Sequence, residues 1–114
     1  MPWNLLLYPA MFVAAGVPLW MRKVPPNPIY GLRIPATEEN LDVWYEANAY
    51  LGRDLVVVGA GSLVVTIALA FTPLDPPTVK LASGIVGVVG VLVAAVRGIV
   101  KARALRKAHD DREV

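Results

Sequence analysis

The side chains best able to recognise something are crowded into one stretch, "VPPNPIYGLRIPATEENLDVWYEANAYLG", from Val24 to Gly52. Asn27, Tyr30, Arg33, Thr37, Trp44 and Asn48 offer amides, hydroxyls, a guanidinium and an indole, and Gly31 and Gly52 offer room for close backbone approach. That set suits hydrogen-bonded recognition of a ligand or partner, and an equally direct reading is that it folds the loop onto the rest of the chain. Catalysis is not indicated. There is no cysteine, which removes disulfides, thiolate metal sites and a thiol nucleophile. No Ser-His-Asp set and no metal-ligand spacing is present, and the single histidine, His109, lies in a charged tail. Glu38, Glu39, Asp42 and Glu46 have the chemistry for a lipid-headgroup site, although a charged helix face is more often simply solvated. No enzyme activity, cofactor or metal is expected.

These residues need rigid positioning, and the local sequence supplies it. Pro25, Pro26, Pro28 and Pro35 fix their own φ and hold the preceding residues extended, so the lead-in is stiff and non-helical. Asn27 and Gly31 add turn chemistry, and Gly31 is a candidate for positive φ. A helix is then expected, with Thr37 as N-cap and Glu38 and Glu39 at the positive end of its dipole. Leu41, Trp44, Tyr45, Asn48 and Leu51 form one stripe of an amphipathic helix, which predicts a short interfacial helix with Trp44 at headgroup depth. Its polar face is acidic, which favours docking on protein over adhesion to anionic lipid. Trp44, Asn48 and Gly52 also fall at i, i+4 and i+8, and an asparagine there needs hydrogen-bond partners.

Three uncharged runs surround this segment, Leu5–Met21, Leu55–Phe71 and Leu81–Val96, the last staying apolar around Arg97 to residue 100. Only 18% of the 114 residues are charged and 56% are hydrophobic, with mean hydropathy +0.54. Each run approaches the roughly 20 residues that cross a hydrocarbon core, and none shows the polar face of a soluble amphipathic helix. The expected fold is a single all-α membrane domain over 1–114 with three transmembrane helices, at about 5–21, 55–71 and 81–100. The cytoplasmic motif loop is 22–54 and the basic tail 101–114. The first run is read as a retained helix, since Arg22 and Lys23 lie on the wrong flank for a signal peptide.

Topology follows from charge. The first loop and tail carry Arg22, Lys23, Arg33, Arg53, Lys101, Arg103, Arg106 and Lys107 near the membrane, against Lys80 alone in the second loop. The positive-inside rule places the motif loop and C-terminus in the cytoplasm and the N-terminus outside. Trp3, Tyr8 and Trp20 read as interfacial aromatics flanking the first span. Pro73, Pro76 and Pro77 end the second span and make spans two and three an antiparallel hairpin. Gly59, Gly84, Gly87, Gly90, Ala94 and Gly98 are candidates for close helix packing, within the protomer or between copies. No Asp, Glu, Lys or His lies within the runs, which weighs against a proton-coupled transporter. Ser62 and Thr66 are expected to bond their own helix, and Arg97 to reach the interface alongside the basic tail, which contacts anionic headgroups.

The pattern Pro26-Asn27-x2-Tyr30-Gly31-x-Arg33-x-Pro35-x-Thr37, followed by Trp44-x3-Asn48-x3-Gly52, resembles the SdpI family of small bacterial integral membrane proteins over roughly Pro25 to Val100. The resemblance implies a non-enzymatic membrane protein acting in immunity to a membrane-active toxin peptide, in membrane signalling by capture of a transcriptional repressor, or in both. Asn27, Tyr30, Gly31, Arg33, Thr37, Trp44, Asn48 and Gly52 would then form the working surface. The alternatives are a small accessory or scaffold subunit of a larger membrane complex and, third, an oligomeric transporter. Besides the lipid bilayer, the partners implied are a toxin peptide, a repressor, a second copy or a larger complex. Nucleic acid is not among them, since a net charge of +2 is too small to argue for it.

Overall fold

A computed structural model describes residues 3–113, with side chains placed for 4–112. Among these residues the chain is entirely helical apart from its connections. A single 3-10 turn, Trp3–Leu6, leads into α1, Leu7–Trp20. A one-turn α2, Pro35–Glu38, precedes the long α3, Leu41–Ala70, and α4, Pro76–Glu113. At 1.5 Å per residue the 30 residues of α3 and the 38 of α4 give rods of about 45 and 57 Å. The longest dimension of the molecule, 61 Å against 21 and 19 Å across, is set by α4.

Among the described residues two helices, α3 and α4, are long and apolar enough to cross a membrane. The first apolar run forms a shorter helical stretch, Asn4–Trp20, which at 1.5 Å per residue is about 26 Å long and at the lower limit for a span. No separate interfacial helix forms. The amphipathic segment from Leu41 is the first part of α3, continuous with the apolar run beyond it. The physical reason is local: Gly52-Arg53-Asp54 changes polarity without a proline, so the backbone hydrogen bonds run straight through. Likewise the tail is the continuation of α4.

Helix starts follow their side chains, though not all where expected. Thr37 is not the N-cap of the main helix. Pro35 stands at the first position of α2, where its missing N–H is harmless, and Thr37 lies inside that turn. Asn40 caps α3 instead, its side chain accepting from the Val43 amide at 3.1 Å. At the other hairpin end Pro76 and Pro77 open α4, and the Asp75 side chain accepts from Thr78 at 2.5 Å.

Each long helix packs antiparallel to the one that follows it in the chain, which leaves α1 and α4 parallel. Pro9 lies against Gly59 and Gly16 against Gly52, so α1 descends as α3 rises. Thr66 meets Ser83, Val58 meets Gly90 and Leu51 meets Gly98, which is the expected α3–α4 hairpin. A hydrophobic core sits beyond the apolar ends: Val43 and Ala47 of α3 bury against Ala102 of α4, with Leu32, Ile34, Ala36 and Leu105 around them. The amphipathic start of α3 therefore docks on protein, and the tail is one wall of that core.

Candidate functional site

The loop between α1 and α3 is held by its own motif residues. Asn27 organises the proline-rich turn: its Oδ1 accepts from the amides of Ile29 at 3.0 Å and Tyr30 at 2.6 Å. Its Nδ2 donates to the carbonyls of Pro25 and Tyr30, both at 2.9 Å. All the capacity of one amide closes six residues of loop, Pro25 to Tyr30. Such Asx geometry is the reason asparagine stands between prolines that cannot donate.

Three anchors then tie the loop to the helices. The Trp44 indole Nε1 donates to the Val24 carbonyl at 2.9 Å. The Tyr30 hydroxyl donates to the Ala15 carbonyl of α1. Asn48 grips Leu32, its Oδ1 accepting from the Leu32 amide at 2.5 Å while Nδ2 donates to the Trp44 carbonyl at 2.9 Å and, more weakly, to the Leu32 carbonyl at 3.4 Å. Thr37 donates to the Leu32 carbonyl at 2.8 Å and accepts from the Ile34 amide at 3.1 Å.

Trp44 is 1% exposed, Asn48 2% and Thr37 0%. Trp44 is therefore a buried strut and not an interfacial aromatic, because the loop folds over its ring. Gly31, at φ +108°, makes that cover possible: a Cβ there would lie 2.9 Å from Asn48 Oδ1 and 3.3 Å from the indole, in a conformation L side chains rarely adopt.

Gly52 extends the same column of α3 to the α1 crossing. A Cβ at Gly52 would stand 2.5 Å from the Gly16 carbonyl oxygen, 2.5 Å from the Trp20 amide and 2.7 Å from Leu19. Arg33 donates to the Pro28 carbonyl at 2.7 Å and pairs with Glu38 at 3.4 Å on the surface. The motif residues thus come together as one hydrogen-bonded lock. What the loop presents outward is its rim, above all Ile29, 90% exposed, with Pro25, Pro26 and Pro28. The Tyr30 phenol is pushed above its ordinary pKa by burial beneath the loop.

Of the packing glycines, Gly59 meets Pro9 and Val13, Gly87 meets the Tyr8 ring, Gly90 meets Val58 and Gly98 meets Leu51 and Leu32. Ala94 is buried as well. Gly84 has open space where a Cβ would go. The contacts named are all within one copy of the chain.

Two arrangements escaped sequence reasoning. Tyr8 is not an interfacial aromatic. It turns inward, and its hydroxyl meets the Ser83 carbonyl at 2.5 Å and Ser83 Oγ at 2.9 Å, while Thr66 Oγ1 meets Ser83 Oγ at 2.6 Å. Thr66 therefore bonds across to α4, linking all three long helices at one level, and Ser62 is buried one turn away with no partner for its hydroxyl. Arg97 likewise does not run alone to the interface: its Nε donates to Asp54 at 2.9 Å and its Nη2 to the Tyr50 hydroxyl at 2.7 Å. The signal available for both was a polar residue placed at matching heights on neighbouring helices. Trp3, the third aromatic expected at the interface, has its side chain outside the described residues.

Among the described residues no group of histidine and carboxylate side chains is placed to hold a metal ion. The arrangement is one of recognition and bracing, on a chain whose helices carry the apolar length of a membrane protein. Its particular family is shown directly: the family model of the SdpI/YfhL protein family matches residues 23–101, which take in the motif loop, α3 and most of α4. The chain belongs to that family. No curated protein and no solved structure matches it significantly.

Proposed function

We propose that this chain is a non-enzymatic, multi-pass membrane protein whose locked loop is a preformed platform for a partner, in immunity to a membrane-active peptide or in signalling across the membrane surface. The observation that carries it is the division of labour in the loop. Its buried polar side chains are engaged in holding one conformation, and a rigid apolar rim led by Ile29 is left outside. Preorganisation of that kind lowers the ordering penalty of binding. In this reading α1 is the first of three spans, the N-terminus lies outside, and the loop and tail are cytoplasmic, in keeping with the excess of Lys and Arg there. A membrane-active peptide or a regulator with an apolar contact face is the class of partner that suits the rim.

The test is to express the chain in a sensitive bacterium and challenge it with the membrane-active peptides encoded beside its gene. Protection by the wild type, lost in Ile29→Ala at unchanged membrane abundance, supports the platform. No protection against any such peptide removes the immunity role. Loss in Asn48→Ala with full activity of Ile29→Ala reduces the loop to a brace.

A second reading, an accessory subunit of a larger complex, is favoured by one feature. Gly84 lies open on a face of α4 with Leu81, Ile85 and Val88 exposed, a surface another helix would fit closely. Cross-linking in native membranes discriminates, since this reading requires one stoichiometric membrane partner.

A further inference from the structure

The charged and apolar parts of the three long helices change over at one level, and a groove of about 320 Å³ opens there, lined by Trp20, Arg22, Glu46, Tyr50, Arg53 and Lys101. The level is fixed by packing: the Trp20 amide lies against Gly52, and Leu51 lies against Gly98. Beyond Arg53, Asp54 and Arg97, which stand at this level, α1 is uncharged, α3 is uncharged from Leu55 onward and α4 is uncharged from Val96 back to Leu81. The guanidinium of Arg53 lies 4.8 Å from the centre of the Tyr50 ring, that of Arg97 at 5.4 Å and the Lys101 ammonium at 5.6 Å. Arg53 and Arg97 share a single carboxylate, Asp54, at 3.4 and 2.9 Å, and Asp54 is only 12% exposed. Lys101 and Arg22 make no ion pair among the described residues. The groove and its wall hold four cations, Arg22, Arg53, Arg97 and Lys101, against the carboxylates of Glu46 and Asp54, a net +2.

Arg22 adds an independent mark. It follows the end of α1 with φ 61°, the only non-glycine residue with positive φ among those described. Its amide caps the helix by donating to the Leu19 carbonyl at 3.1 Å. Glycine is the usual residue at this helix-terminating position, and a side chain there is held against a local steric preference. An arginine kept in that conformation beside three further cations is a backbone outlier of the sort that accompanies function.

We propose that this groove binds the phosphate of an anionic glycerophospholipid headgroup, with Arg22 and Lys101 as its principal partners. Like charges gathered around one ring repel in a medium less polar than water, and a phosphodiester supplies the missing negative charge. Lipid is the source favoured over free phosphate because of placement: the groove lies at the edge of the apolar zone, and half-exposed Trp20 forms its rim on the apolar side. The acyl chains then run along the uncharged faces of α1 and α4.

The proposal rests on the membrane reading, which carbonate extraction of the full chain tests by itself: release from the membrane overturns that reading. For the groove, the full chain in detergent is presented with equal amounts of phosphatidylglycerol and phosphatidylcholine, and retained lipid is counted by native mass spectrometry. Selective retention of phosphatidylglycerol is expected, weakened about fivefold for each cation removed in Lys101→Gln and Arg22→Gly. Arg22→Gly is the informative variant, since glycine accepts φ 61° and the fold survives, as circular dichroism will show, while the lipid preference falls. Equal retention of both lipids, or a preference unchanged in both variants, overturns the proposal. Displacement of the lipid by millimolar inorganic phosphate overturns the lipid assignment in favour of a free-anion site.

Discussion

Asn48 is the most exacting place to test the lock, because its partners can be followed one by one. In Asn48→Ala the Trp44 carbonyl keeps the main-chain bond of the helix, and the Leu32 carbonyl keeps the Thr37 hydroxyl at 2.8 Å. The Leu32 amide loses its partner at 2.5 Å and has no substitute in a site 2% exposed. An orphaned buried donor costs about 1–3 kcal/mol, so the loop should open about 5 to 150 times more often. Hydrogen exchange of the Leu32 amide in the detergent-solubilised chain reads that ratio directly, against an α3 amide near Val65 as internal control. Asn48→Asp sharpens the test. It keeps an acceptor for Leu32 but faces the Trp44 and Leu32 carbonyls with a buried carboxylate, which raises the folded-state pKa above the ordinary value of about 3.9. A raised pKa means that stability is present at low pH and lost as pH rises through the folded value. Asn48→Asp should therefore give the Leu32 amide a lower protection factor than Asn48→Ala at pH 7, and a higher protection factor at pH 5 than at pH 7 once the intrinsic exchange rate at each pH is divided out. Unchanged exchange at Leu32 in a folded Asn48→Ala chain would refute the lock.

Other substitutions probe the remaining contacts. Gly52→Ala forces a methyl to within 2.5 Å of two α1 backbone atoms and should destabilise by about 1–3 kcal/mol, the range for overpacking, read as a lower thermal midpoint. By contrast Gly61→Ala, where nothing lies within 4 Å, should be neutral or stabilise by about 0.5–1 kcal/mol through helix propensity. Tyr30→Phe removes the α1 anchor. In the wild type, the raised Tyr30 pKa means that this contribution is complete below about pH 10 and disappears as pH rises through the folded value, so alkaline loosening of the loop seen at absorbances specific to tyrosinate should be absent from Tyr30→Phe. Thr66→Val removes the α3 member of the cross-helix cluster at 2.6 Å and should cost about 0.6 kcal/mol, the average for interhelical bonds in membranes, measured by unfolding in mixed micelles.

The sequence was informative wherever one residue type has one dominant use. The prolines at 73, 76 and 77 had to break the helix, and they do, with Pro76 opening α4. Glycines at helical spacing had to permit close approach, and Gly87 and Gly90 supply it for α4. The motif was legible as a shaped loop because Asn27 and Gly31 among prolines have few other roles. Legibility failed where two residues compete for one task. Thr37 and Asn40 are both able caps, and the choice fell on Asn40 because Pro35 starts a turn of its own that absorbs Thr37. It failed also where the partner is distant in the chain. Tyr8 and Ser83 are 75 residues apart and Tyr50 and Arg97 are 47 apart, and no local pattern announces such pairs.

The lock and the cationic groove are two sides of one crossing, and this bears on how a bound partner would be felt. The chain between Trp20 and Val24 is short, and it is fixed at both ends: Trp20 by its contact with Gly52, Val24 by the indole of Trp44. Arg22 lies between these two points, in its positive-φ conformation. Any movement of α1 against α3 must therefore pull on the loop through Trp20 and on its far end through Tyr30, which bonds Ala15 of the same helix. Movement of the rim at Ile29 is transmitted the opposite way along the same anchors. A locked loop of this construction has little freedom to respond by itself. A force on the loop therefore falls on the Gly16–Gly52 contact between α1 and α3, where Leu19, Leu55 and Val56 pack around the two glycines.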